Sequence, residues 1–234
     1  MTALITLAHG SRHPRAAAGV EALTRAAARR LGVRGQAAYL EFDEPLLIDA
    51  TRHTPEPTII VPLLFTDAFH ARYDVPQHVA EAREVQARES AGSQASLTLA
   101  KGLGIDQDLV DVLAARVLQD APVGAHVVLY PVGTSDPVAA GRYGEVALGV
   151  GKQTARAVSV VAATRGGVEE LRALERTHGA LHVLPMFVTH GLLLDRARAA
   201  LPGASFSEPL GTDLAAIVAK RFSQALHSLE VTHA

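Results

Sequence analysis

Short apolar runs alternate along the chain with longer segments whose apolar positions recur at helical spacing. Residues 4–8 and 58–65 carry almost no polar side chain, the pattern of strands buried on both faces of a parallel sheet. In the first half the pattern predicts strands at residues 4–8, 37–42, 58–65 and 96–100. Helices are predicted over residues 15–31, 45–53 and 76–90, the last opening on Pro76, which suits a first helical turn. A fourth is expected after Asp106, an N-cap candidate followed by Leu109, Val112, Leu113 and Val117 on one face. Pro122 and Gly124 then punctuate the chain, and the alternation begins again.

The second half repeats the first. His9-Gly10-Ser11-Arg12-His13-Pro14 lines up with Val132-Gly133-Thr134-Ser135-Asp136-Pro137 at an offset of 123. The same offset sets Pro62 on Pro185, Thr66 on Thr189, and residues 37–41 on 160–164. Further on it shrinks: Leu103-Gly104-Ile105-Asp106 answers Leu210-Gly211-Thr212-Asp213, and Arg116 answers Arg221. The third crossover of the second half is therefore expected to be shorter. The expected fold is α/β: two similar doubly wound lobes, residues 1–122 and 123–234, each a four-stranded parallel sheet flanked by helices, with a cleft between them.

Composition narrows the function classes. With 22 Lys+Arg against 24 Asp+Glu, the net charge of −2 offers no basic field for nucleic acid. No apolar run approaches the ~18 residues of a membrane span, and residues 1–8 lack a basic leader, so no membrane association and a cytoplasmic location are expected. Cysteine is absent, so any metal must be held by histidine and carboxylate.

Ligands of open α/β sheets bind outside the carboxyl ends of the strands. Three strand ends of the first half carry His9, Glu41 and His70, and in a doubly wound sheet these ends share one rim. Two neutral imidazoles and a carboxylate would leave coordination positions open, as in a reactive metal site. Gly10-Ser11 and Gly133-Thr134 are turns whose backbone N–H groups suit a carboxylate or phosphate. Arg12 adds a fork for carboxylate, and Ser135 and Thr66 complete the candidate substrate-binding positions. G-x-G-x-x-G after the first strand and a Walker lysine motif are both missing, which argues against nicotinamide and ATP. His190, in Thr189-His190-Gly191, stands at the third strand end of the second half without a defined role.

Leu7-Ala8-His9-Gly10-Ser11-Arg12, Tyr39-Leu40-Glu41-Phe42-Asp43-Glu44-Pro45 and Pro62-Leu63-Leu64-Phe65…His70-Ala71-Arg72-Tyr73-Asp74-Val75-Pro76 resemble the class II chelatases, and among them the sirohydrochlorin chelatases. The resemblance extends into the second half through Gly133-Thr134-Ser135-Asp136-Pro137 and Thr189-His190-Gly191-Leu192-Leu193-Leu194. It implies a lyase that inserts Fe²⁺ or Co²⁺ into sirohydrochlorin without ATP, with metal delivery and proton acceptance at His9 and His70 and assistance from Glu41. Insertion of iron would serve sirohaem synthesis and insertion of cobalt would serve cobalamin synthesis. A metal or tetrapyrrole carrier is the non-catalytic alternative, and the chain is expected to be a monomer or homodimer. Val132, Thr164 and Leu193 stand where the offset would put His9, Glu41 and His70. The second lobe is thus expected to have kept the fold and lost the metal.

Overall fold

The structure, a computed structural model, describes residues 2–52, 56–66, 74–89 and 96–232. Each half of the chain builds one four-stranded parallel sheet. In the first half β1 (Ala3–Ala8), β2 (Gly35–Tyr39), β3 (Thr58–Pro62) and β4 (Leu97–Leu99) lie in the order β2-β1-β3-β4. In the second, β5 (His126–Pro131), β6 (Val158–Val160), β7 (Leu181–Met186) and β8 (Ser205–Phe206) lie in the order β6-β5-β7-β8. The helices between them are α1 (Ala16–Leu31), α2 (Leu47–Arg52), α3 (Val75–Glu89), α4 (Gln107–Asp120), α5 (Pro137–Thr154), α6 (Gly167–His178) and α7 (Leu192–Ala200). A 3-10 turn at Gly211–Leu214 leads into α8 (Ala215–Thr232).

The registers support the repeat in detail. In β1 a residue pairs with the one 31 positions on in β2 (Leu4 with Gly35), and β5 pairs with β6 at the same separation (Val127 with Val158). The step to the third strand is 55 in both sheets: Leu7 faces Pro62, and Tyr130 faces Pro185. Only the last step differs, 39 between Thr58 and Leu97 but 23 between His182 and Ser205. The deficit of 16 is the amount by which the sequence offset shrinks from 123 to 107. Unequal third crossovers account for that step, and two further residues are lost before Arg221 answers Arg116.

The central strands are apolar because helices cover both faces. Ile5, Leu7, Ala38 and Ile60 pack with Leu47, Val75, Val79 and Ala82 in one core, and Val128, Tyr130 and Val183 pack with Leu171, Leu194 and Ala197 in the other. Several elements end earlier than their apolar runs suggest. β2 stops at Tyr39 and β3 at Pro62, because both chains leave the sheet to form the loops of the carboxyl rim. Asp106 stands at the N-cap of α4 with extended backbone but makes no side-chain cap bond, and its carboxylate lies 3.8 Å from Arg142.

The division of the chain is not the simple halving expected at residue 122. One compact unit comprises Met1–Gly104 with Gly211–Ala234, and the other comprises Ile105–Leu210. The reason is an exchange of the two matching helices, α4 and α8. The first-half helix α4 packs on α5 and β7: Val110 abuts Gly149, Gln153 donates to Asp111 (2.7 Å), and Ser207 Oγ donates to Asp120 (2.7 Å). The last helix α8 packs on α1 and β3, and its buried Arg221 donates to the carbonyls of Gly102 and Leu103. Among the described residues no helix is long and apolar enough to cross a membrane.

The second unit should weaken in acid. The His126 ring stacks on His178 with centroids 3.9 Å apart and planes 4° apart. Burial, and then the neighbouring imidazole, hold the His126 pKa below its ordinary value. Burial lowers that of His182 in β7 as well. Groups with depressed folded-state imidazole pKa bind fewer protons folded than unfolded. Their stabilising contribution is full above the unfolded value of about 6.5 and is lost as pH falls below it. The urea midpoint should therefore drop between pH 7 and pH 5.5, and the slope of that drop should be shallower in His126→Asn. An unchanged slope would show that the pair does not govern acid lability.

Candidate functional site

The carboxyl ends of β1 and β2 continue one step beyond the regular ladder. The Leu40 N–H donates to the Ala8 carbonyl and the Glu41 N–H to the His9 carbonyl, each at 3.0 Å. This sets His9 and Glu41 side by side, with His9 Nδ1 3.2 Å from Glu41 Oε1 and both side chains partly exposed. The approach depends on Gly10. Its φ is +96°, and a Cβ there would fall 1.7 Å from the Glu41 carbonyl oxygen. Gly10→Ala should thus push the Glu41 segment away, costing about 1–3 kcal/mol of stability and separating the pair. Thermal melting and metal binding would both register it.

Past Gly10 the chain turns into α1 through local bonds. The Ser11 N–H donates to Asp43 Oδ2 (2.9 Å), the His13 N–H to Ser11 Oγ (3.1 Å) and the Arg15 N–H to His13 Nδ1 (3.1 Å). Buried His13 thus ties down the turn that leads into α1. The Ser11 N–H, expected from the sequence to meet an anion, is occupied by a carboxylate of the chain itself. Among the described residues the Ser11 hydroxyl donates to no acceptor, and Arg12 is exposed.

Phe42 follows Glu41 with φ +67°, a left-handed conformation costly for a bulky side chain. The residue stands 52% exposed, with its ring within 11° of parallel to the His9 imidazole at a centroid distance of 6.3 Å. The Arg12 guanidinium lies over it, 4.9 Å from the ring centroid. Neither Phe42 nor Asp43 is picked out as functional by sequence reasoning. An apolar residue after an apolar strand reads as more strand, and only its backbone angle reveals otherwise.

Sheet order explains why this rim is the place for chemistry. β1 connects to β2 on one side and β3 joins on the other, so the order reverses between β1 and β3, where such folds bind ligands. Thr66 lies in the segment that follows β3 at this rim. Its predicted companion His70 lies outside the described residues. Among the described residues no cluster of three or more His, Asp or Glu side chains converges as a metal site. His9 and Glu41 make a pair.

The second unit repeats this turn in backbone and lacks its chemistry. The Ala163 N–H donates to the Pro131 carbonyl and the Thr164 N–H to the Val132 carbonyl, as their counterparts do in the first. Gly133 has φ +104°, the Asp136 N–H donates to Thr134 Oγ1 (3.2 Å), and the Val138 N–H donates to Asp136 Oδ1 (2.9 Å). Asp136, at the position matching His13, caps α5 through its side chain. At the positions of His9 and Glu41 stand Val132 and Thr164, and the Thr164 hydroxyl donates to the Val132 carbonyl (2.8 Å). Ser135 is exposed on the same turn. His190, near the end of β7, has Nε2 3.7 Å from Glu208 Oε2, and Arg198 donates to the same carboxylate at 2.8 Å.

A four-stranded parallel sheet with a glycine turn at its carboxyl rim is present twice, and the first copy carries the His9–Glu41 pair. The chain belongs to the CbiX family, whose model matches residues 3–120. A sirohydrochlorin ferrochelatase of Priestia megaterium is 28% identical over 226 residues, covering 91% of this chain and 80% of that protein. A sirohydrochlorin cobaltochelatase of Saccharolobus solfataricus is 30% identical over 83 residues, covering 34% of this chain and 65% of that protein. The cobalt complex of the sirohydrochlorin chelatase SirB from Bacillus subtilis subspecies spizizenii superposes with a TM-score of 0.74. That match has 20% identity and covers 98% of this chain and 97% of that one, a likeness of fold.

Proposed function

We propose that the protein is a chelatase that inserts a divalent metal, Fe²⁺ in the primary reading, into sirohydrochlorin. The observation that carries this reading is the His9–Glu41 pair, 3.2 Å apart beside the β1–β3 switch point in the segment the CbiX model matches. Iron is favoured by the ferrochelatase relative, whose similarity runs through both lobes. Cobalt is the second reading, supported by the cobaltochelatase relative, which is similar over a shorter stretch.

The reaction exchanges one M²⁺ for two pyrrole protons, so a site must deliver a partly dehydrated cation and accept protons. With Nδ1 3.2 Å from Glu41 Oε1, His9 is proposed to offer Nε2 as its metal-directed or proton-accepting nitrogen, while the carboxylate offsets the metal's charge. His70 is proposed as the second imidazole. Neutral imidazole and carboxylate suit Fe²⁺ and Co²⁺ alike, so the donors do not choose between them. Ser11 Oγ, Arg12, Thr66 and the repeated turn Gly133-Thr134-Ser135 are proposed as contacts for the substrate's carboxylates, and Gly10 as the hinge of the first turn. No nucleotide enters the scheme.

The test is an anaerobic assay of sirohydrochlorin with Fe²⁺ or Co²⁺, following the absorbance change on metallation. Faster metallation than in buffer supports the reading, and the ratio of the two rates assigns the metal. No acceleration with either metal, alongside tight tetrapyrrole binding, would leave a carrier in its place.

A further inference from the structure

From the residues around His9 we infer that Phe42 and Arg12 form one substrate-positioning element, a ring face for the tetrapyrrole plane backed by a cation for one of its peripheral carboxylates. The inference rests on the chelatase reading and adds a residue to it. Three observations carry it. First, an aromatic residue occupies a backbone conformation, φ +67°, that glycine or asparagine would adopt at less cost. Second, Phe42 is 52% exposed and is not folded into the core that Leu40 and Leu47 share just before and after it. Third, it is parallel within 11° to the His9 imidazole and carries the Arg12 guanidinium 4.9 Å from its centroid.

Each observation has a functional consequence. An exposed ring next to a metal-directed imidazole offers a planar apolar face where a planar conjugated substrate must come to reach the metal. Offset stacking and edge contacts with such a substrate are favourable beyond simple burial. The guanidinium held on the Phe42 ring loses little further freedom when it meets a carboxylate, since its position is already restricted. Arg12 projects from the turn that Asp43 fastens through the Ser11 N–H, so both partners of the element are anchored by the same loop pair. The element would therefore set the macrocycle's position over His9 and take no part in proton transfer.

The experiment uses the full chain and compares wild type with Phe42→Ala, Phe42→Gly and Arg12→Gln. Glycine accepts φ +67° without cost, so Phe42→Gly keeps the loop and serves as the folding control. Three quantities are measured: the Kd for metal-free sirohydrochlorin by absorbance titration, the Kd for Co²⁺ alone, and the split of turnover into kcat and KM. Expected is a roughly three- to tenfold weaker sirohydrochlorin Kd and higher KM in both Phe42 variants, a comparable loss in Arg12→Gln, and an unchanged Co²⁺ Kd. Sirohydrochlorin binding equal to wild type in the Phe42 variants would overturn the inference. So would a Co²⁺ affinity that falls while sirohydrochlorin affinity holds, since Phe42 would then act only through His9. A wild type that neither binds nor metallates sirohydrochlorin would overturn the chelatase reading first, and this inference with it.

Discussion

A chain cut after residue 122 is expected to have no folded first lobe as a monomer. It would retain α4, which belongs to the other unit, and lack α8, which belongs to this one. The missing segment supplies Leu214, Ile217, Val218 and Phe222, all buried. At about 1.5–3 kcal/mol for each such side chain, their loss rivals the ~5–15 kcal/mol that holds a typical domain together. Removing Arg221 also strips the donors from the buried carbonyl of Leu103 and from Gly102 in the loop after β4. Joining residues 1–104 to 211–234 through a flexible linker should restore a cooperative urea transition. Circular dichroism with light scattering distinguishes the outcomes. A monomeric 1–122 fragment that melts cooperatively would show that the helix exchange is dispensable.

His9→Ala should lower turnover on the order of 10²–10³-fold, the range for loss of a positioned proton acceptor, with loss of metal affinity besides. Its melting temperature should stay within a few degrees of wild type, because the side chain is 41% exposed and stands beyond the last core residue of β1. Glu41→Gln should do less, about 10–100-fold, as expected for a group that acts on a ligand's orientation and charge, and should change kcat more than KM. Normal turnover in His9→Ala with a collapsed melting temperature would make the histidine structural and dissolve the site.

The repeat was legible in the sequence because crossover lengths are written there. Separations of 31 and 55 recur in both sheets, and equal spacings of apolar runs and glycine turns display them before any coordinates. The nearness of His9 and Glu41 followed from strand order for the same reason. The partner of each long helix did not. Leu109, Leu113 and Val117 of α4 and Ile217, Val218 and Phe222 of α8 are all buried, and either apolar stripe would suit either sheet. Periodicity marks which face is buried but not against what. The occupation of the Ser11 N–H by Asp43 was equally hidden, since a side chain 32 positions away leaves no local signal. Phe42 was misread because strand propensity and a left-handed turn can share one side chain.

The exchange of helices also sets an order on synthesis. A chain leaves the ribosome from its first residue at about 5–20 residues per second. Residues 105–210 form their unit from one unbroken stretch, so they can fold as soon as they emerge. Residues 1–104 are made earlier but must wait for 211–232 to cover α1 and β3. For roughly five to twenty seconds the lobe that carries His9 and Glu41 is present without its closing helix, its apolar surface open to chaperones. The half of the protein made first is the half that folds last.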